Sequence, residues 1–180
     1  MMVSFNANEN KAPLLVVVMG VAGSGKTSLG QALAQARRWC YLDADDFHSL
    51  ESRNQMAAGK PLTDAMRTPW IAAICQRLRQ LAEDNVNTVL AFSGLKKAHR
   101  EPLRHCGFKV LFLHLTGDRE ILAQRLSART NHFMPASLLN SQLESLESPE
   151  GEPDVHPLTL GPPLHELLEQ ARELIDQHTR

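Results

Sequence analysis

Six residues at 14–19, LLVVVM, run apolar without a break, and GVAGSGKT follows at once. A short β-branched run with no polar alternation is a strand buried on both faces, as in the middle of a parallel sheet. The next eight residues satisfy GxxxxGK[ST], and Leu29, Ala32, Leu33 and Ala36 then recur at helical spacing. Strand, glycine-rich turn and helix in that order are the setting in which this pattern binds phosphate. Gly20, Gly23 and Gly25 let successive backbone N–H groups converge on phosphate oxygens. Ser24 and Ser28 belong to the same nucleotide-side stretch. The helix starting near Lys26 adds the positive end of its dipole. Lys26 reaches the β- and γ-phosphates, and the Thr27 hydroxyl suits Mg²⁺. The expected cofactors are therefore ATP and Mg²⁺.

The rest of the chain alternates strand and helix. Strands are expected at 39–42, 88–92, 109–115 and, weakly, 155–160, where Pro157 suits a sheet edge. Helices are expected at 51–58, 70–83, 97–104, after Asp118, at 134–146 and at 163–178. The segment 46–69 is polar and broken by Gly59, Pro61 and Pro69. Such alternation implies right-handed crossovers and one α/β sandwich with helices on both faces. The first strand should be central, because its apolar run is the most continuous. At 180 residues the chain suits one domain over 13–180, after a flexible tail at 1–12.

Composition narrows the partners. Nineteen Lys and Arg against 20 Asp and Glu give a net charge of −1, with no global attraction for nucleic acid or anionic membrane. No apolar run approaches the roughly 20 residues that span a bilayer, and the N-terminus lacks the pattern of a signal peptide. Cys40, Cys75 and Cys106 are scattered, which fits a reducing cytoplasm.

Phosphate binding alone does not define a reaction. Asp43 and Asp45 stand one residue apart where the second strand ends. Ligands of open α/β sheets bind at the carboxyl ends of strands. One carboxylate there can serve Mg²⁺, and the other can accept a proton from an attacking hydroxyl. Arg67, Lys96, Lys97 and Arg100 are candidate cations for an acidic substrate, and His48, Asn54 and Asp64 are candidate partners for its hydroxyls. Arg125 and Arg129, four apart, share one helix face and could clamp adenine and the transferring phosphoryl group. A solvated basic helix face is the alternative for that pair.

Four stretches, in order, carry a family resemblance: GVAGSGKTSLG, YLDADDFHSLESRNQMAAGKPLTDAMRTPW, FSGLKKAHREPLR, and FLHLTGD with RLSARTNHFMPASLLNSQLESLESP. Together they resemble the small P-loop gluconokinases, in the shikimate-kinase and nucleoside-monophosphate-kinase-like group. The resemblance implies a five-stranded parallel sheet in order 2-3-1-4-5 with a small lid. It implies phosphorylation of gluconate to 6-phosphogluconate, and it is compatible with a homodimer. Residue by residue, it gives Asp45 to the sugar hydroxyl and Asp43 to the Mg²⁺ shell. It gives His48, Asn54, Met56, Gly59, Pro61, Leu62, Asp64 and Arg67 to a substrate-side segment over about 46–69. Lys96, Lys97 and Arg100 follow the third strand. Arg125 and Arg129 introduce a lid over about 125–140 that includes Phe133.

Departures from the family pattern gather on the acceptor side and in the lid. Among them are Ala44, Ser49, Gln55, Met66, Phe92, Gly94, His99 and Thr130-Asn131. A related sugar acid or polyol is therefore an alternative acceptor. Adenylylsulfate and nucleoside monophosphate kinases are alternatives within the same fold, and a nucleotide-binding regulator without catalysis is one outside enzymes.

Overall fold

The computed structural model describes residues 11–128 and 137–180. Five parallel strands form one sheet: β1 (Leu14–Met19), β2 (Cys40–Asp43), β3 (Thr88–Ala91), β4 (Lys109–Thr116) and β5 (Val155–Thr159). Their order is β2-β3-β1-β4-β5, as the family resemblance implies. Seven helices are described: α1 (Lys26–Arg37), α2 (Leu50–Ala57), α3 (Asp64–Glu83), α4 (Lys97–Arg100), α5 (Arg119–Ser127), α6 (Ser137–Ser145) and α7 (Leu164–Thr179). The tail at 1–10, and Arg129 to Ala136 within the expected lid, lie outside the described residues.

The unbroken apolar run of β1 has a physical consequence. Alternate side chains leave a strand on opposite faces. Val16 and Val18 enter a core built with Leu29 and Leu33 of α1, Leu122 and Leu126 of α5, and Leu167, Ala171 and Ile175 of α7. Leu15, Val17 and Met19 enter the opposite core, with Trp70, Ile74 and Leu78 of α3 and with Leu103. From Leu15 to Met19 β1 has no solvent exposure, which is why it lies in the middle. Pro157 sits in β5 at the sheet edge, where its missing N–H breaks no interior ladder.

Two local expectations need correction. The 70–83 helix begins earlier, at Asp64, and carries Pro69 inside it. The Thr63 side chain caps it by accepting from Met66 N–H, and the Thr68 hydroxyl donates to the Asp64 carbonyl. Pro69 lies beyond the first turn, so it forfeits one interior hydrogen bond, and burial of Trp70, Ile71 and Ile74 outweighs that loss. Asp64 and Arg67 therefore sit on one helical turn instead of a loop. Second, 97–104 is not one helix: α4 passes into a 3-10 turn at Glu101–His105, where Pro102 interrupts the hydrogen-bond ladder.

Candidate active site

The site is built at the carboxyl ends of β1, β2 and β3. After Met19 the chain enters the glycine loop, and two of its glycines are obligatory. Gly23 and Gly25 have φ of +83° and +90°, which L side chains rarely adopt, and a Cβ on Gly23 would meet the Leu122 carbonyl at 2.8 Å. Gly25 is also the N-cap of α1, whose first turn holds no acidic residue that would compete with an anion. Lys26 Nζ donates to the Val21 carbonyl at 3.1 Å, folded over the loop it must serve. Ser24 is buried, and its Oγ has no hydrogen-bond partner among the described residues.

Asp43 is the hub beside this loop. It accepts from Thr27 Oγ1 at 3.0 Å, from the Tyr41 hydroxyl at 3.0 Å and from Asp45 N–H at 3.0 Å. The last bond caps the 3-10 turn Ala44–Phe47 and so positions Asp45. Burial, reinforced by the charge of Asp43, raises the Tyr41 pKa, so its hydroxyl stays protonated and donates. Nothing in the local sequence pattern singles out Tyr41. Two neighbouring ligands of an octahedral Mg²⁺ at about 2.1 Å stand about 3 Å apart. The Thr27 and Asp43 oxygens have that separation, and both are hard donors. Among the described residues no group of three His, Cys, Asp or Glu could hold a metal. Mg²⁺ keeps waters and phosphate oxygens in its shell, so the two oxygens of Thr27 and Asp43 would suit it.

Asp45 is half-buried. Burial raises its pKa above the usual carboxylate value; the charge of Lys26 opposes the rise, and that of Asp43 adds to it. His48 stacks on the Trp70 indole with centroids 4.2 Å apart, and its Nε2 lies 3.7 Å from Asp45 Oδ1. Burial, with Arg53 and Arg67 near, lowers the His48 pKa to about 4. The ring is therefore neutral at pH 7 and forms no ion pair with Asp45. Trp70 Nε1 donates to the Ala44 carbonyl at 2.7 Å, which pins the turn between the two carboxylates. By its sequence spacing Trp70 is one residue of an amphipathic helix. Its single signal was its place at the end of the RTPW stretch.

The loop separates two cavities. One is lined by Lys26, Thr27, Asp43, Asp45, His48 and Arg67, together with Ala22 and Trp70. The other is lined by Ser24, Ser28 and Arg125 and by the turn from Pro162 to Leu164. Gly23 and Gly25 border both. The first, termed the acceptor cavity, gathers the acceptor-side candidates Asp45, His48 and Arg67; the second gathers the nucleotide-side candidates Ser24, Ser28 and Arg125. Helix α6 roofs the acceptor side. Its Leu138 packs on Met56 and Leu62, and Leu138, Ser141 and Gln142 line the cavity. Gln142 Oε1 accepts from Ala22 N–H of the loop at 2.6 Å. Neither Gln142 nor Ser141 was singled out from the sequence.

Other candidates lie elsewhere. Asp64 is exposed and pairs with Lys96 Nζ at 3.0 Å and with Arg67 Nη1 at 3.5 Å. Asp64 and Lys96 line a neighbouring groove that shares Arg67 with the acceptor cavity. Asn54 and Lys97 are exposed and line none of these cavities. Arg129 lies outside the described residues, whereas Arg125 Nη1 comes within 3.6 Å of where a Cβ on Gly25 would be.

Arg100 is the clear correction. It has no solvent exposure, and its guanidinium is spent on protein. It donates to the Gly94 carbonyl at 2.6 Å, to the Glu147 carbonyl at 3.3 Å and to the Glu152 carboxylate at 2.7 Å. Arg104 joins the same network through Glu152 and Asp154. Arg100 is thus a strut that ties the end of β3 to the loop before β5. Arg100→Met should cost about 1–3 kcal/mol, because it removes the donor of the Gly94 and Glu147 carbonyls and leaves Glu152 with Arg104 alone. Thermal melts would register this as a clear fall in Tm, with the acceptor KM of the folded enzyme unmoved. An unchanged Tm with a raised KM would return Arg100 to the substrate set.

Comparison with known proteins places this geometry. A family model described as an AAA domain matches residues 15–149. A gluconokinase of Gluconobacter oxydans is 42% identical over 137 residues, covering 76% of this chain and 77% of that protein. The unliganded structure of a sugar kinase from Janibacter sp. HTCC2649 superposes with a TM-score of 0.86 at 41% identity, covering 91% of this chain and 95% of that one. A gluconokinase structure from Sinorhizobium meliloti 1021 gives 0.78 at 39% identity, covering 93% and 98%.

Proposed function

The chain belongs to the gluconokinase family, and from that premise we infer that it is an enzyme that phosphorylates gluconate with ATP. The observation that carries the site assignment is that Lys26, Asp45 and Arg67 line one cavity on the acceptor side of the phosphate loop.

In this reading the triphosphate lies along the loop amides from Gly23 to Thr27, and its base occupies the cavity lined by Ser28, Arg125 and the turn at Pro162. Lys26 leaves the Val21 carbonyl for the β- and γ-oxygens. Thr27 and Asp43 would hold Mg²⁺, which supplies charge neutralisation on the phosphate oxygens. Asp45 accepts the proton of a primary hydroxyl and aligns that oxygen with the phosphoryl group. Neutral His48 offers a ring nitrogen to a sugar hydroxyl. Arg67 binds the carboxylate at the far end of the acceptor as a two-point pair. The helix α6 roof keeps water, the competing acceptor, away from the phosphoryl group.

Arg67→Ala tests the acceptor. Loss of a charged hydrogen-bonded pair should raise KM for gluconate about 10- to 100-fold, whereas a neutral polyol of equal length should be turned over as poorly by the variant as by the parent. Steady-state assays with both acceptors decide it. An equal loss with both would remove Arg67 from the carboxylate.

A further inference from the structure

Two described hydrogen bonds of the phosphate loop reach far along the chain: Gly20 N–H donates to the Ser93 carbonyl at 3.3 Å, and Ala22 N–H donates to a side chain. Gln142 of α6 reaches across the acceptor cavity, and its Oε1 takes the N–H of Ala22, 120 residues earlier. Ala22 borders the acceptor cavity and not the nucleotide-side one, whereas Ser24 and Ser28 do the reverse. A terminal phosphoryl group must lie on the acceptor side of the loop to be reached by a hydroxyl held at Asp45. Ala22 N–H is therefore a donor on the γ-phosphoryl side, and a side-chain amide already occupies it. Helix α6 is braced where it does this. Leu138 packs against Met56 and Leu62, and just beyond the helix Glu147 N–H donates to the Leu95 carbonyl at 2.7 Å. Glu147 Oε2 also accepts from Lys97 N–H at 3.2 Å.

We propose that Gln142 discriminates between ATP and ADP in the empty enzyme: its amide oxygen stands on Ala22 N–H in place of a γ-phosphoryl oxygen. This rests on the kinase reading above, which puts the γ-phosphoryl group on the acceptor side. ATP has to displace the amide. ADP ends at the β-phosphate, over the amides from Gly23 to Thr27, and leaves the bond intact. Gln142 thus weakens the binding of ATP alone and leaves product nucleotide unaffected. A ligand that must break one protein hydrogen bond binds more weakly by the equilibrium between the bonded and open forms.

The test is calorimetric titration with a non-hydrolysable ATP analogue and with ADP, both with Mg²⁺ and without acceptor. One neutral hydrogen bond predicts that Gln142→Ala binds the ATP analogue about fivefold more tightly, with ADP unchanged. Gln142→Glu puts a carboxylate on the same N–H, where it holds the donor more strongly and repels the phosphoryl group. It should weaken the ATP analogue by about tenfold or more, again with ADP unchanged. If both nucleotides shift together, Gln142 merely packs α6, and the proposal is overturned. It is overturned equally if the ratio of the two affinities stays at the parent value in both variants, or if Gln142→Ala binds the analogue less tightly. No acceptor enters the titration. A parent enzyme that failed to phosphorylate gluconate would contradict the proposed function and leave this comparison standing.

Discussion

Lys26→Ala is expected to lower kcat by about 10²-fold or more. The ammonium group lies over the phosphate loop, 3.1 Å from the Val21 carbonyl, on the rim of the acceptor cavity. Charge migrates during transfer from the γ-phosphoryl group toward the β-phosphate, and a cation at that place is worth most in the transition state. No other Lys or Arg among the described residues lies within the loop from Gly20 to Thr27. Substitution to alanine leaves α1 intact, because Leu29 and Leu33 secure the helix and the loop glycines are untouched. The melting temperature should therefore barely move while turnover collapses. Single-turnover measurements with saturating ATP separate the chemical step from nucleotide binding. Near-parental turnover would remove the loop lysine from the chemistry.

Asp45→Asn is the second large effect. Asparagine preserves size and the backbone N–H that Asp43 accepts, and loses the base. General-base contributions are typically about 10²- to 10⁴-fold, so kcat should fall by that order with KM for gluconate nearly constant. A pH profile adds an independent readout. Asp45 must be ionised to accept a proton, so parental activity falls as pH drops through its pKa. Burial places that pKa above the usual carboxylate value. The acid limb should therefore appear at higher pH than an exposed aspartate would give, and it should vanish from the residual activity of Asp45→Asn. An acid limb that persists unchanged in the variant would assign it to another group.

The chemistry most legible in the sequence is the chemistry made by neighbours in the chain. The phosphate loop works through eight consecutive residues, and its glycines, lysine and threonine can be read off directly. Asp43 and Asp45 are legible for a related reason: Asp43 ends β2 and Asp45 lies in the turn that follows, and strand ends face the ligand in this class of sheet. The strand order came from resemblance alone, because apolar periodicity says which strand is buried and not which strand stands beside it.

What could not be read is made by residues distant in the chain. Charge alone makes Arg100 and Arg67 both candidate cations, and only the family resemblance puts Arg67 first. The fold put Arg67 on the first turns of α3 facing the acceptor cavity, and enclosed Arg100 with Glu152, 52 residues away. Trp70 holds the Ala44 carbonyl from 26 residues away, and Gln142 reaches Ala22 N–H from 120 residues away. Local sequence determined the phosphate loop and the two carboxylates, because backbone torsions and strand ends are properties of contiguous residues. Tertiary structure alone decided which cations are free to meet a substrate and which side chain guards Ala22 N–H. A buried charge or amide goes to the partner that satisfies it, and that partner is set by which segments pack together.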